Sequence, residues 1–200
     1  MRLPHLERYL AELPDGWASF PDCVAKATML QQTKKLLPAG FDDVVPEPIL
    51  RRLSEEAPPT AWAPEVEHIA FVLAIVDLRA HAGRSPESMW TELAEENRKL
   101  MARREYRALL QTGAPERMFR QLEQGWHRFH RGTEFVCVEA TPRSARLELR
   151  FPPALLPELA LRMRVASIHG VLRACGVEGL DVEHWLVEPG RARYRVTWRE

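Results

Sequence analysis

Hydrophobic and polar residues alternate strictly in two stretches of the C-terminal third, residues 146–151 and residues 191–199. A period of two residues is typical of a strand that buries one face and leaves the other in water. The apolar positions are Leu147, Leu149, Phe151, Ala192, Tyr194, Val196 and Trp198. Each stretch therefore predicts a half-buried antiparallel strand.

A helical pattern lies between these two strands. Apolar residues recur at intervals of four and three from Leu161 to Cys175, and Gly176 ends the pattern. Turn-forming residues at 141–144 and 189–190 favour a hairpin at each end. Residues 133–200 are therefore predicted to form a ββαββ antiparallel sheet unit packed on helices.

Before residue 133 the apolar spacing is helical instead. Proline and glycine residues divide this region into six predicted helices, at residues 3–13, 23–37, 46–55, 64–82, 86–101 and 115–130. The fourth is apolar on most sides and is predicted to be the central helix, and residues 58–60 are the best linker candidate. The fold class is α+β, with a helical part (1–132) and a sheet part (133–200) in one compact domain.

Composition is that of a soluble globular protein, with 46% hydrophobic and 28% charged residues in 200. The longest apolar run, residues 69–76, is much shorter than the roughly 20 residues of a membrane-spanning helix. Charged residues at positions 2–8 interrupt what a signal peptide would need as its apolar region. We expect a cytoplasmic chain with no membrane insertion.

Charge is balanced overall, because 28 basic residues face 28 acidic ones, and this argues against nucleic-acid binding. Residues 1–100 carry 11 basic and 16 acidic residues, and residues 101–200 carry 17 and 12, giving −5 and +5. Four arginines fall on the polar face of the predicted sheet: Arg146, Arg150, Arg193 and Arg195. They are either a basic surface for a second copy or an acidic protein partner, or an ordinary solvated sheet face.

The sequence contains no nucleotide-binding, hydrolase or kinase motif. Its three cysteines, Cys23, Cys137 and Cys175, are odd in number and far apart, so neither a disulfide framework nor a metal site is predicted. Cys23 opens a predicted helix that contains Lys26, and both features could lower the pKa of its thiol. The other interpretation is a buried, inert cysteine. We assign no catalytic residue.

A polar cluster, residues 126–133, ends the last predicted helix of the helical part. His127 or His130 could be an axial haem ligand or a general base, since neutral imidazole suits both roles. The structural alternative is that both histidines cap the helix end while aromatic residues pack beneath them. Trp126 and Arg131 are further candidates for a binding or interface role.

Two sites within predicted helices, the pair Glu65 and His68 and the single residue Gly170, each have a functional and a structural interpretation. Glu65 and His68 suggest a buried acid–base pair or metal site, but Glu65 also falls in a first helical turn, where acidic residues are favoured. Gly170 allows a close approach of its helix to a sheet, partner or ligand, or is incidental.

Several short motifs occur together in this chain. They are Leu13-Pro14-Asp15-Gly16, Phe20-Pro21-Asp22-Cys23, Lys26, Trp62-Ala63-Pro64-Glu65-Val66, Asp77, Asn97, Tyr106-Arg107, Trp126 and Phe129-His130-Arg131-Gly132-Thr133. As a set they resemble a paralogous family of myxobacterial proteins of similar length, for which the resemblance implies no particular reaction.

The order of elements after residue 133 is similar to that of the superfamily of 4-vinyl-reductase-type sensory domains, haem nitric-oxide-binding domains and vesicle-tethering TRAPP subunits. That resemblance implies a module that binds a small ligand or a partner, and many such modules are dimeric. The chain lacks the Tyr-x-Ser-x-Arg motif of the haem nitric-oxide-binding domains and the cysteine-rich ending of many 4-vinyl-reductase domains. We therefore expect no cofactor.

Three functional hypotheses follow from these observations. The first is a non-enzymatic signalling or scaffold module that binds a protein partner, a second copy or a small apolar ligand. The second is a haem-based gas sensor that uses His127 or His130. The third is an enzyme of unknown reaction.

Overall fold

The structure is a computed structural model that describes residues 1–54, 57–58, 60–103 and 115–199. Its helices are α1 (Pro4–Glu12), α2 (Ala27–Lys34), α3 (Glu47–Ser54), α4 (Glu65–His81), α5 (Pro86–Met101), α6 (Pro115–Gly125) and α7 (Glu158–Ala174). Its strands are β1 (Val24–Lys26), β2 (Trp62–Pro64), β3 (His130–Arg131), β4 (Glu134–Thr141), β5 (Ser144–Arg150), β6 (Glu178–Glu188) and β7 (Arg191–Arg199). Pro59 of the linker candidate, Glu55 at the end of the third predicted helix and the Tyr106-Arg107 motif lie outside the described residues.

A four-stranded antiparallel sheet in the order β4-β5-β7-β6 forms the C-terminal part. Helix α7 connects its two hairpins and contacts the sheet, so the α+β class and the ββαββ unit are confirmed. Leu147 pairs with Tyr194 and Leu149 with Ala192, and all four side chains are buried. The alternating pattern therefore assigned the core face of the two central strands correctly.

A second sheet of three short strands, in the order β2-β1-β3, was not predicted. Ala25 pairs with Ala63 on one side and with His130 on the other. The predicted helices at 23–37 and 115–130 were therefore wrong at residues 23–26 and at residue 130. The physical reason is that each of these strands is stabilised by partners distant in sequence, which a local hydrophobic period does not register.

Gly132 lets the third strand of this small sheet lie close to the first. Its φ is +73°, and a Cβ atom there would lie 2.6 Å from the Sγ atom of Cys23. Only glycine combines the left-handed backbone with so close an approach. This explains why glycine follows His130 and Arg131.

Helix α4 is the central helix, as predicted: its residues from Val66 to Val76 are almost all buried. Its buried carboxylate Asp77 accepts hydrogen bonds from the backbone amides of His5 (3.0 Å) and Leu6 (3.1 Å). No side chain of α1 itself caps these amides. Asp77 therefore supplies from another helix the cap that a helix N-terminus needs.

Helices α5 and α7 pack against each other at Gly170. A Cβ atom at this position would lie 2.5 Å from the carbonyl oxygen of Ala94 and 2.7 Å from the Cβ atom of Asn97. Asn97 also donates a hydrogen bond to Ser167 across the same contact (3.2 Å). Gly170 is therefore a helix-packing residue, and α7 is held between α5 and the sheet.

Every helix among the described residues is too short or too polar to cross a membrane.

Candidate functional site

A buried ionic cluster joins three elements beside the four-stranded sheet. Glu65, the first residue of α4, accepts hydrogen bonds from Arg164 of α7 and from the Nδ1 atom of His130 in β3 (3.2 Å). Glu65 is 1% exposed and His130 is 3% exposed. The hypothesis of a buried acid–base pair at Glu65 named His68, whereas the histidine that hydrogen-bonds to this carboxylate is His130.

Electrostatics fix the protonation states of this cluster. Burial opposes ionisation of Glu65, but the positive charge of Arg164 and the contacts with the two histidines together lower the pKa of the carboxyl group. Burial lowers the pKa of His130, and Arg164 lowers it further, despite the nearby carboxylate. Burial also lowers the pKa of His68, to about 4. Near neutral pH the cluster is therefore a Glu65–Arg164 ion pair with two neutral histidines.

A cavity of about 120 Å³ lies next to this cluster, between α6, α7 and the sheet. Ten of its 14 lining residues are apolar or aromatic, among them Met118, Phe119 and Leu149. The four polar ones are His130, Arg164, Ser167 and Tyr194. An apolar pocket with a few polar groups is the usual form of a small-molecule site.

The two candidate histidines lie in different environments. His127 is exposed in a single 3-10 turn (Trp126–Arg128), and it does not line the cavity. His130 is buried and lines it. The ring of Trp126 stacks on that of His130 at a centroid distance of 4.2 Å, and its Nε1 atom donates to Thr133. Trp126 is therefore part of the cavity wall.

Arg131 lies on the surface of the small sheet instead. Its guanidinium group is 4.2 Å from the ring centre of Trp62, and the Nζ atom of Lys26 is 3.9 Å from the same centre. Both contacts are cation–π interactions. They explain the basic residues around Trp62 without a ligand.

The four predicted interface arginines all lie on the outer face of the sheet, and each is paired with a carboxylate. Arg146 contacts Glu139 (2.6 Å), and Arg195 contacts Glu183. Arg150 and Arg193 both donate to Glu148, whose side chain is 2% exposed. This face is therefore a network of opposite charges, which weakens the argument for it as a bare basic surface. Its role in association remains a prediction.

Glu148 should make the stability of the sheet depend on pH. Hydrogen bonds from Arg191, Arg150 and Arg193 lower its pKa from 4.5 to about 2. Such a carboxylate stabilises the fold fully above its unfolded pKa, and the contribution is lost as the pH falls towards 2. This difference corresponds to about 3 kcal/mol.

We therefore expect Glu148→Gln to reduce the free energy of unfolding at pH 7 and to flatten its dependence on pH. Urea denaturation of both proteins at pH 7 and pH 3 measures this. Carboxylates elsewhere titrate in both proteins, so their contributions to the pH dependence cancel in the comparison. Parallel pH profiles would show that Glu148 contributes nothing.

Cys23 precedes a strand and not a helix, so the interpretation in which a helix end lowers the pKa of its thiol was wrong. Its thiol is buried and contacts the carbonyl oxygen of Gly132 at 3.3 Å. Burial raises its pKa to about 11. The alternative interpretation, an inert buried cysteine, is the one that agrees with this environment.

Arg164 and Tyr194 were missed as site residues. Arg164 borders the apolar stripe that runs from Leu161 to Cys175, and a charged residue at the edge of such a stripe is a detectable signal. Tyr194 carried no signal beyond its apolar position in a strand. No metal-binding group of three or more suitable side chains occurs among the described residues.

Comparisons with known proteins give a likeness of structure but not of sequence. No family model matches the chain, and no curated protein does. Among solved structures, the Fe(II) unliganded form of an H-NOX protein mutant from K. algicida has a TM-score of 0.61 at 10% identity, covering 88% of this chain and 97% of that one. An oxygen-binding H-NOX domain related to soluble guanylate cyclases has a TM-score of 0.57 at 12% identity, covering 87% and 93%.

A third similar structure is a mutant of the T. tengcongensis H-NOX protein, with a TM-score of 0.54 at 14% identity, covering 88% of this chain and 98% of that one. The expected resemblance to haem nitric-oxide-binding domains is thus confirmed for the fold, whereas the myxobacterial family remains a prediction. The chain has an H-NOX-like fold.

Proposed function

We propose that this chain is a ligand-sensing domain whose cavity beside His130 binds a small, mainly apolar molecule. The observation that carries the proposal is the cavity itself, which has an apolar wall and a buried ionic cluster on one side. A packed interior holds few voids larger than a water molecule, and an apolar void is a site for apolar ligands.

The size of the cavity limits the ligand. An engineered apolar cavity of about 150 Å³ binds benzene, and drug-sized ligands need roughly 300–1,000 Å³. At about 120 Å³, this cavity suits a ligand of five or six heavy atoms. The proposal concerns such a molecule and not a large cofactor.

A haem-based gas sensor is the second candidate, and the structural comparisons favour it over a general signalling or scaffold module. His130 offers a suitable donor, because a carboxylate that holds one ring nitrogen is the usual support of a metal-bound histidine. The cavity does not suit haem: its volume of about 120 Å³ is far too small for a porphyrin, and Trp126 covers one face of the His130 ring. The residues present therefore do not fit haem.

Benzene is the simplest probe of the proposed site. We expect it to raise the melting temperature of the wild type, because it binds the folded state only. Val171→Phe, which places a larger side chain in the cavity wall, should abolish this shift. Val138→Phe adds the same bulk at an exposed position (52% exposed) and should preserve it. Equal shifts in the three proteins, or none in the wild type, would contradict the proposal.

Haem reconstitution tests the second candidate in the same preparation. We expect no Soret band when the wild type is mixed with haem and excess haem is removed. A band that His130→Ala removes and His127→Ala retains would replace the proposed apolar ligand with haem. The same band in all three proteins would indicate surface adsorption.

A further inference from the structure

Tyr194 is a buried polar residue whose role the fold does not explain. It lies in β7, is 1% exposed and lines the cavity. Within the described part of the chain, its hydroxyl group is buried and has no hydrogen bond partner. Buried polar groups are almost always paired, so an unpaired hydroxyl group on a residue that lines a cavity points to a partner that enters from outside the chain.

The hydroxyl group of Tyr194 is available as a donor. Burial raises the pKa of this tyrosine, an effect that Glu158 supports and the positive charge of Arg164 opposes. The phenol therefore remains protonated throughout the ordinary pH range. It needs an acceptor.

Arg164 leaves a second unpaired donor among the polar groups of the cavity. Among the described residues, the Nε atom of Arg164 is buried and unpartnered. Both carboxylate oxygens of Glu65 are occupied, one by Arg164 and the other by His130. The Ser167 hydroxyl accepts from Asn97 and donates to the carbonyl oxygen of Met163.

We infer that the ligand of this cavity is a neutral molecule with a compact apolar body and one accepting oxygen, such as a small ketone, and that the Tyr194 hydroxyl group donates to that oxygen. This inference rests on the proposed function, because it concerns the same cavity. A neutral ligand is favoured over a carboxylate since the charge of Arg164 is already compensated by Glu65, and an uncompensated buried anion is costly.

A pair of nearly isosteric ligands separates the oxygen from the apolar body. Cyclopentanone and methylenecyclopentane differ in one group, a carbonyl oxygen against a methylene group. We expect Tyr194→Phe to weaken the binding of cyclopentanone about tenfold and to leave that of methylenecyclopentane within a factor of two, as measured by ligand-detected NMR titration. Because each ligand is compared with itself, its cost of desolvation cancels.

Tyr9→Phe is the matched control. It removes the hydroxyl group of another buried tyrosine, which donates to the carbonyl oxygen of Leu155 and does not line the cavity. It should leave both affinities unchanged. If Tyr194→Phe does not fold, the carbonyl ¹³C shift of cyclopentanone bound to the wild type replaces it, because a hydrogen bond moves that signal downfield.

The outcomes distinguish this inference from the proposed function. If neither ligand binds the wild type, the proposed function fails. If both bind and Tyr194→Phe weakens them equally or not at all, or if the carbonyl shift equals that in an apolar solvent, the inference fails and the proposed function stands. Ordered water, and not a ligand oxygen, would then be the partner of the hydroxyl group.

Discussion

Glu65→Gln is expected to lower the free energy of unfolding by about 3–5 kcal/mol, because it leaves the buried guanidinium group of Arg164 without a counter-ion. Glu65 is 1% exposed, so water cannot reach this position to solvate the unpaired guanidinium group. Equilibrium denaturation in urea at pH 7 measures the change. The matched control is Glu87→Gln, the same substitution in the first turn of another helix, where the side chain is 68% exposed. It should change stability by less than about 0.5 kcal/mol.

Removing both charges should cost less than the sum of the single changes. In Glu65→Gln/Arg164→Met neither partner is left as an uncompensated buried charge, so we expect a coupling of about 1–3 kcal/mol. Strict additivity would mean that the pair does not interact in solution. A Glu65→Gln protein as stable as the wild type would contradict the burial of the cluster itself.

The same ion pair bears on domain organisation. Glu65 belongs to residues 1–132 and Arg164 to residues 133–200, and the two side chains meet in the interior. We propose that the two parts form one cooperative unit. In that case Glu65→Gln should shift a single unfolding transition, monitored by tryptophan fluorescence and circular dichroism, and should not split it into two.

Leu149→Ala is expected to destabilise the fold by about 2–5 kcal/mol, since Leu149 is 2% exposed in a central strand of the four-stranded sheet. Its side chain also lines the cavity. The truncation should therefore enlarge that cavity and increase the affinity for toluene relative to benzene. Urea denaturation and the thermal shift with each ligand measure the two effects.

Arg146→Ala is the control on the same strand. Arg146 lies on the outer face, its side chain is 64% exposed, and its partner Glu139 is half exposed, so we expect a change below about 1 kcal/mol. Arg150 is less suitable as a control because it donates to the buried carboxylate of Glu148. If Leu149→Ala and Arg146→Ala cost the same, the assignment of the two sheet faces is wrong.

The sequence by itself determined the four-stranded sheet and the central helix. Leu147 and Leu149 alternate with exposed or ion-paired residues because one face of a strand is buried, and that period is visible in a short stretch of sequence. Helix α4 is recognisable for the same reason, since an element that is covered on all sides is apolar on all sides. Both signals are contained within a few consecutive residues.

Only the tertiary structure decided the small sheet and the site. Ala25 pairs with Ala63 and His130, whose positions in the chain are far apart, so no local period could indicate these strands. Likewise, nothing in the sequence separates His130, which is buried beside Glu65, from the exposed His127. A periodicity reports which face of an element is buried, whereas the contact partner of a side chain depends on how distant elements pack.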